Sequence, residues 1–279
     1  MKTNIENTQS LLHDFGISAK KTLGQNFLIS QNVVDQIIEG ANISNDDIVI
    51  EIGPGIGALS EEICKKAKKV YLFEIDSSFK YALTHRLKDF TNYKLIINDF
   101  LKVNIDKFIR ENEINQKVKI ISNLPYYITS KLLLKMFKYH HIIKSITVMM
   151  QKDVGEKFKS DDNKEKNTLT TLMKLYSNVN EVCEVSSDNF LPKPHVDSIV
   201  LNYEILEKPR FDVIDEERLE KTLNTLFTQR RKTITKSISV LVSSKEKIEE
   251  ILKECNISSL TRVEQLDIEK IIELCNKIA

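Results

Sequence analysis

Residues 122–127 read Ser-Asn-Leu-Pro-Tyr-Tyr and follow the apolar run Val118 to Ile121. The run has the character of a strand, and Pro125, which has no N–H to donate, stops the ladder. Asn123 carries both a donor and an acceptor. Leu124, preceding a proline, is biased to extended geometry, so its carbonyl can be left free. Two convergent acceptors backed by the rings of Tyr126 and Tyr127 form a receptor for a planar group bearing an NH2. The same residues also fit a strand that simply turns at a proline, with both tyrosines in the core. Taken alone, the stretch leaves these readings level.

A second stretch, Glu51-Ile52-Gly53-Pro54-Gly55-Ile56-Gly57-Ala58, concentrates glycine in a chain with only 7 of them. Glycine permits a tight turn and close backbone approach to a ligand, and a helix starting there points its N-terminus at that ligand. Gly53, Gly55 and Ala58 fit the G-x-G-x-x-G/A fingerprint, and Glu74 follows roughly 20 residues after Gly53, where a carboxylate holds ribose hydroxyls. An adenosine-containing cofactor is expected, and at this point nicotinamide and methyl-donor classes both fit. Two features separate them. Glu51 would be badly placed beside a pyrophosphate but well placed beside the ammonium or sulfonium of S-adenosylmethionine. Asp99 can accept from an adenine amino group. No His, Tyr or Lys motif for hydride transfer accompanies the loop. The methyl donor is favoured.

These residues need elements to carry them. Strands are expected near 47–52, 69–75, 93–98, 117–122 and 144–150, and helices near 57–67, 77–88, 103–112 and 129–139. Such alternation predicts an α/β fold, a mainly parallel sheet with helices on both faces and ligands at the C-terminal ends of the strands. Glu51, Gly53, Glu74, Asp76, Asn98, Asp99 and Asn123 all fall at those ends. Upstream, residues 1–19 suggest a loosely held helix, and Val33, Val34, Ile37 and Ile38 an amphipathic one ending at Gly40. Between them Lys20-Lys21-Thr22-Leu23-Gly24-Gln25-Asn26-Phe27-Leu28 mixes charges, amides and apolar anchors, which suits a loop folded over a ligand. Downstream, Phe190-x-Pro192-x-Pro194 is a rigid run before a strand at 197–205. Glu207-Lys208-Pro209-Arg210 marks a boundary. Beyond it everything reads as helix: Asp215 caps one carrying Leu219, Leu223 and Leu226, Ile234, Ile238 and Leu241 stripe a second, Ser243 and Glu246 open a third, and Ile272 and Cys275 lie on a last.

Composition narrows the classes. With 279 residues, 41% hydrophobic and 29% charged, the chain has the make-up of a soluble protein with one large domain and a smaller one. No apolar run is long enough to cross a membrane, and the polar N-terminus does not read as a signal peptide. The 4 cysteines show no C-x-x-C spacing and the 5 histidines no H-E-x-x-H pattern, so reduced thiols and no metal are expected, with His140-His141 a surface pair. Net charge is only +1. Basic residues still cluster: Lys131, Lys135, Lys138 and Lys144; then Lys152, Lys157, Lys159, Lys164 and Lys166; then Gln229-Arg230-Arg231-Lys232 with Lys236. They fit solvated helix faces or a phosphate-contacting surface.

In nearly its whole length the chain resembles the rRNA adenine dimethyltransferase family. The likeness is carried by Lys21 to Leu28, Glu51 to Ser60, Glu74-Ile75-Asp76, Asn98-Asp99, Asn123 to Tyr126, Phe190-Leu191-Pro192-Lys193-Pro194-His195-Val196-Asp197-Ser198 and Gln229 to Thr233. Leu124, where large-subunit resistance methylases usually carry Ile, favours the small-subunit branch, as do the Gln-Asn-Phe-Leu opening and the Arg-Arg-Lys motif. One departure stands out: a Tyr-Gly-Arg-Leu-Ser-Val-like run common in the family is replaced by Glu165 to Met173, so no RNA contact by its Arg carries over.

The resemblance implies a Rossmann-like class I methyltransferase domain over 1–207 and a helical RNA- or ribosome-binding domain over 208–279. It implies dimethylation, from S-adenosylmethionine and without metal, of the exocyclic amino nitrogens of two adjacent adenosines near the 3′ end of small-subunit rRNA. The expected setting is a pre-ribosomal particle in the cytoplasm, with a monomeric enzyme, no membrane and a part in subunit biogenesis. Asn26 and Leu28 would cover the cofactor and Glu51, Gly53 and Gly55 cradle it. Glu74 would take the ribose and Asp99 the adenine. Asn123 and Leu124 would hold the target amine ahead of Pro125, and Tyr126 and Phe190 would stack the base, leaving Tyr127 to packing. The rivals are a large-subunit resistance-type methylase, a nicotinamide oxidoreductase and a catalytically silent assembly or transcription factor.

Overall fold

Five parallel strands, β2 to β6, carry the sheet and are joined in sequence by helices. The computed structural model describes residues 2–160 and 165–278. Lys164, counted among the basic residues above, lies outside them. In chain order the elements are α1 (Ile5–Asp14), β1 (Phe27–Leu28), α2 (Gln31–Gly40), β2 (Ile48–Ile52), α3 (Ala58–Lys66), β3 (Lys69–Glu74), α4 (Lys80–Arg86), β4 (Tyr93–Ile97), α5 (Ile105–Glu111), β5 (Val118–Asn123), α6 (Thr129–Lys138) and β6 (Ile143–Gln151). Then follow α7 (Lys152–Lys159), α8 (Thr168–Tyr176), β7 (Ser177–Val185), β8 (Phe190–Leu191), β9 (Ser198–Ile205), α9 (Glu216–Thr228), α10 (Ile234–Ile238), α11 (Lys245–Glu254) and α12 (Ile268–Ile278).

The large sheet has the order β4-β3-β2-β5-β6-β9-β7, and β1 and β8 form a separate two-stranded ribbon. Strands β2 to β6 pair in parallel, and β9 runs antiparallel against β6. The order reverses at β2, where β3 lies on one side and β5 on the other, so a crevice opens at the C-terminal ends of β2 and β5. Near-continuous burial of Val49, Ile50, Ile52, Val70, Leu72, Phe73, Val118, Ile120 and Ile121 reflects a sheet covered on both faces. Helix α2 drives Val33, Val34, Ile37 and Ile38 into one apolar cluster with Leu59, Ile63 and Leu83. Burying each such side chain stabilises the fold by about 1.5–3 kcal/mol.

The chain forms two compact units, Met1–Glu156 with Val179–Ile205, and Lys157–Asn178 with Leu206–Ala279. The chain therefore passes between units three times, so the single boundary read at Pro209 misses α8, which packs against α9 within the second unit. There Asp215 caps α9 by accepting from the Arg218 N–H at 3.0 Å. The third-helix cap is Ser244 rather than Ser243, accepting from the Lys247 N–H at 3.1 Å. Strand β7 is absent from the expectations, because Asn178, Asn180, Glu181 and Glu184 give it the polarity of a loop.

Candidate active site

The topological crevice is a cavity with about 1120 Å³ of empty space, part of it open to solvent. Its walls are segment 23–28, the loop after β2, the ends of β3 and β4, and residues 123–128 beyond β5. Asn26, Leu28, Glu51, Gly53, Gly55, Glu74, Asp99, Asn123, Leu124, Pro125 and Tyr126 all line it.

The loop after β2 needs its glycines. Gly53, Gly55 and Gly57 have φ of +69°, +55° and +85°, a region closed to most side chains. At Gly57 a Cβ would also come within 2.7 Å of Leu83 Cδ1, so that buried side chain would have to shift. The loop folds back on Glu74, whose Oε2 accepts from the Gly55 N–H at 3.0 Å while its Oε1 accepts from the Asp76 N–H at 2.8 Å. Each carboxylate oxygen is thus oriented by the backbone and keeps lone-pair capacity for a ligand hydroxyl. Burial raises the Glu74 carboxyl above its ordinary value, against those two hydrogen bonds.

Glu51 is the most perturbed group in the cavity. It is buried, and its Oε2 and the buried Ser60 Oγ nearby make no hydrogen bond of good geometry. Burial pushes its carboxyl up to about 8, with the Ser60 hydroxyl opposing, the charge of Glu74 adding and Arg86 opposing. A buried acid facing a cavity with one oxygen poorly satisfied is costly to the fold and marks a ligand site. Behind it Arg86 is held by Glu61 at 3.0 Å and by the Thr3 hydroxyl at 2.8 Å.

At the end of β4, Asp99 caps a short turn by accepting from the Leu101 N–H at 2.9 Å. Lys135 grips the same turn, donating to the Leu101 carbonyl at 2.8 Å and the Val103 carbonyl at 2.5 Å. This lysine is therefore a clamp and not the phosphate contact that its place in a basic run allowed. Lys144 is ion-paired with Asp47 at 3.2 Å and Lys152 with Glu184 at 2.6 Å, and both side chains stay partly exposed.

Asn123 ends β5, and its Nδ2 donates to the Asn26 carbonyl at 3.3 Å. Among the described residues no group donates to its Oδ1. Leu124 spends its N–H on the Met149 carbonyl at 3.0 Å and buries its side chain, while its own carbonyl takes no hydrogen bond among the described residues. Two adjacent lining residues thus each keep an unspent acceptor. Pro125 turns the chain with φ −60° and ψ 124°, and its carbonyl receives the Ile128 N–H and the Thr129 hydroxyl. The Tyr126 hydroxyl and Ser198 Oγ are 2.8 Å apart, which pins the ring.

Two residues stand elsewhere than expected. Tyr127 is no packing residue: it is 57% exposed and lies at the cavity over Gly24, where a Cβ would meet its ring at 3.5 Å. Phe190 is only 2% exposed, lies in the apolar cluster with Leu28 and Met149, and does not line the cavity. Its register opposite Leu28 in the β1–β8 ribbon carries it into the core, so it offers no stacking face here. Sequence reasoning also gave no role to Asp76 or Ser198, though both lie inside motifs that it singled out.

The chain is similar to known proteins over nearly its whole length. The ribosomal RNA adenine dimethylase family model matches residues 16–279. The ribosomal RNA small subunit methyltransferase A of Clostridium acetobutylicum is 38% identical over 98% of both chains. That of Bacillus pumilus is also 38% identical, over 96% of this chain and 94% of its own. Among solved structures, a dimethyladenosine transferase from Plasmodium falciparum superposes with a TM-score of 0.69 at 23% identity, over 89% of this chain and 95% of the other.

Proposed function

The chain belongs to the ribosomal RNA adenine dimethylase family, and from that premise we propose that it methylates the exocyclic amino nitrogen of adenosines in small-subunit rRNA with S-adenosylmethionine. The observation that carries this reading is the pair of unspent acceptors, Asn123 Oδ1 and the Leu124 carbonyl, on the wall of the cavity that also holds Glu51 and Glu74.

The residues fit a cationic, ribose-bearing donor. Glu51 offers a buried acid with one oxygen poorly satisfied, Glu74 a carboxyl pre-oriented by two N–H groups, and the glycines an open approach. When bound, the donor supplies an electrophilic methyl group on sulfur. Glu51 would hold its positive end, Gly53 and Gly55 would cradle it, Glu74 would take the ribose and Asp99 the adenine, and Asn26 and Leu28 would cover it.

The chain's remaining work is positioning. An adenine amino nitrogen is a weak nucleophile because its lone pair is delocalised into the ring. Asn123 Oδ1 and the Leu124 carbonyl each accept one of its hydrogens, which favours a tetrahedral nitrogen and aims the lone pair into the cavity. Orientation of this kind can supply about 7–11 kcal/mol of a bimolecular barrier. The nitrogen becomes acidic once alkylated, so its proton can leave after transfer without a strong base. The base must leave its stack at a cost of a few kcal/mol, which the Tyr126 ring, held by Ser198, offsets by restacking.

Small-subunit particles lacking the modification should accept tritiated methyl groups at adenosine, and large-subunit particles should not. Label confined to the large subunit would overturn the proposal. The same reading makes an assembling particle the substrate and a cytoplasmic monomer the enzyme. It assigns RNA contact to the region from residue 208 onward, where Arg231, Lys232 and Lys236 are exposed. Among the described residues no helix is long and apolar enough to cross a membrane.

A further inference from the structure

The segment 20–26 reaches over the cavity, yet little of its own sequence explains why it stays there. Its anchor is Asp76, whose side chain is 4% exposed. The Asp76 carboxylate receives Lys20 Nζ at 2.8 Å and Gln25 Nε2 at 3.0 Å, both from far earlier in the chain. It also receives the Ser78 N–H at 3.1 Å and the Ser78 hydroxyl at 2.7 Å. Gln25 is held at its other end as well, since its Oε1 accepts from the Lys20 N–H at 2.8 Å. Opposing the penalty of burial, the Lys20, Gln25 and Ser78 contacts keep the Asp76 carboxyl well below the ordinary range, so it stays ionised.

At one end of this network the Asp76 N–H fixes Glu74 Oε1 at 2.8 Å. At the other, the segment delivers the Asn26 carbonyl to Asn123 Nδ2 at 3.3 Å. A primary amide presents its oxygen and its NH2 on opposite prongs. With Nδ2 committed to Asn26, Oδ1 is the prong left for a target amine. Gly24, at φ +61°, lets the segment turn beneath the Tyr127 ring between these two points.

We infer that Asp76 is a positioning residue for methyl transfer: it straps segment 20–26 across the cavity through Lys20 and Gln25, and the strap's Asn26 carbonyl orients the Asn123 amide. This rests on the proposed role of Asn123 in holding the amine. Lys20 is 48% exposed, so its ion pair stabilises the fold little, and its part is to tie the strap to Asp76. What matters is a buried carboxylate with a defined shape, to which both strap residues are tied.

The test uses the full-length enzyme with Asp76→Asn, Lys20→Met and the double variant. Three quantities are read: kcat and KM on unmodified small-subunit particles, hydrogen exchange of the backbone amides of 20–26, and the melting temperature. Each single variant should lower kcat about tenfold, as misplacement by a fraction of an ångström does. Each should also speed exchange across 20–26, and the double variant should be no worse than the worse single. Three results would overturn the strap: unchanged kcat with unchanged exchange, losses that multiply in the double variant, or a loss in Asp76→Asn alone that follows its melting temperature. The last would reduce Asp76 to the cap of residues 77–79. A wild-type enzyme that leaves small-subunit particles unlabelled would sink the proposed function, while the exchange comparison would still decide whether Asp76 holds the segment.

Discussion

Strand β2 begins after one carboxylate and carries another near its far end, and the two live in opposite worlds. Asp47 is met by Lys119 Nζ at 2.9 Å, Lys144 Nζ at 3.2 Å and the Ser44 N–H at 2.8 Å. Burial alone would raise its carboxyl, but the hydrogen bonds from Ser44 and Lys119 prevail and hold it at about 2. Lys119 adds contacts to the carbonyls of Ala41 and Asn42, which fasten the end of α2 to the sheet. Glu51, more deeply buried, has an oxygen with no bond of good geometry and is pushed up by that burial to about 8. The same chemical group is therefore satisfied where it holds the fold and left wanting where a ligand must come. Paired charges at the N-terminal edge of the sheet stabilise, whereas the buried acid at the C-terminal edge costs stability unless a ligand meets it.

That contrast can be broken by substitution. The largest effect on folding is expected at the paired end: Asp47→Ala strands the Lys119 charge and should cost about 3–5 kcal/mol in urea unfolding. Methyl transfer per folded molecule should stay the same. At the other edge Asn123→Ala should reduce methyl transfer about 10²–10³-fold or abolish it, while donor affinity by calorimetry barely moves. Retention of most turnover would remove Asn123 from the mechanism. Glu74→Ala should raise the Kd for the donor about tenfold or more, since a charged hydrogen-bond acceptor is lost.

Glu51→Gln sharpens the comparison through pH. The ligand-free enzyme binds one more proton at Glu51 than the unfolded chain between pH 4.5 and about 8. Its stability should therefore fall as pH rises across that window, by at most about 1.4 kcal/mol per pH unit from this group. Donor binding, which favours the ionised form, should tighten over the same range and level off above it. Glu51→Gln should flatten both profiles and weaken binding several-fold near pH 8. Unchanged slopes would show that Glu51 does not titrate in this window.

Much of the site is legible in the sequence because it depends on local rules. The glycines of 53–57 serve a turn, Glu74 closes a strand, and Pro125 stops one, each a matter of a few neighbouring residues. The expected strand 47–52 and the observed Ile48–Ile52 differ by one residue. What escapes a reading of the sequence depends on distant partners. Lys135 looks like a surface base until the Leu101 and Val103 carbonyls are in place, 34 and 32 residues away. Phe190 looks available for stacking until its pairing with Leu28 buries it. Arg86 gives no sign in the sequence of meeting Thr3, 83 residues earlier. Strand β7 is invisible because an edge strand needs apolar residues on only part of its length.

The position of β9 also constrains the order in which the molecule can be assembled on the ribosome. Strand β7, residues 177–185, is synthesised before β9, residues 198–205, yet lies outside it in the sheet. The exposed edge of β6 must therefore wait, unpaired, until translation has passed residue 205. Only then can β9 slot against it and offer β7 a neighbour. Helix α8 waits longer, since its partner α9 ends at Thr228. An open edge on a nascent sheet invites mispairing, so elongation speed over residues 152–228 bears on yield. For an enzyme that works on ribosomal RNA, the vulnerable moment of its own birth is set by strand order.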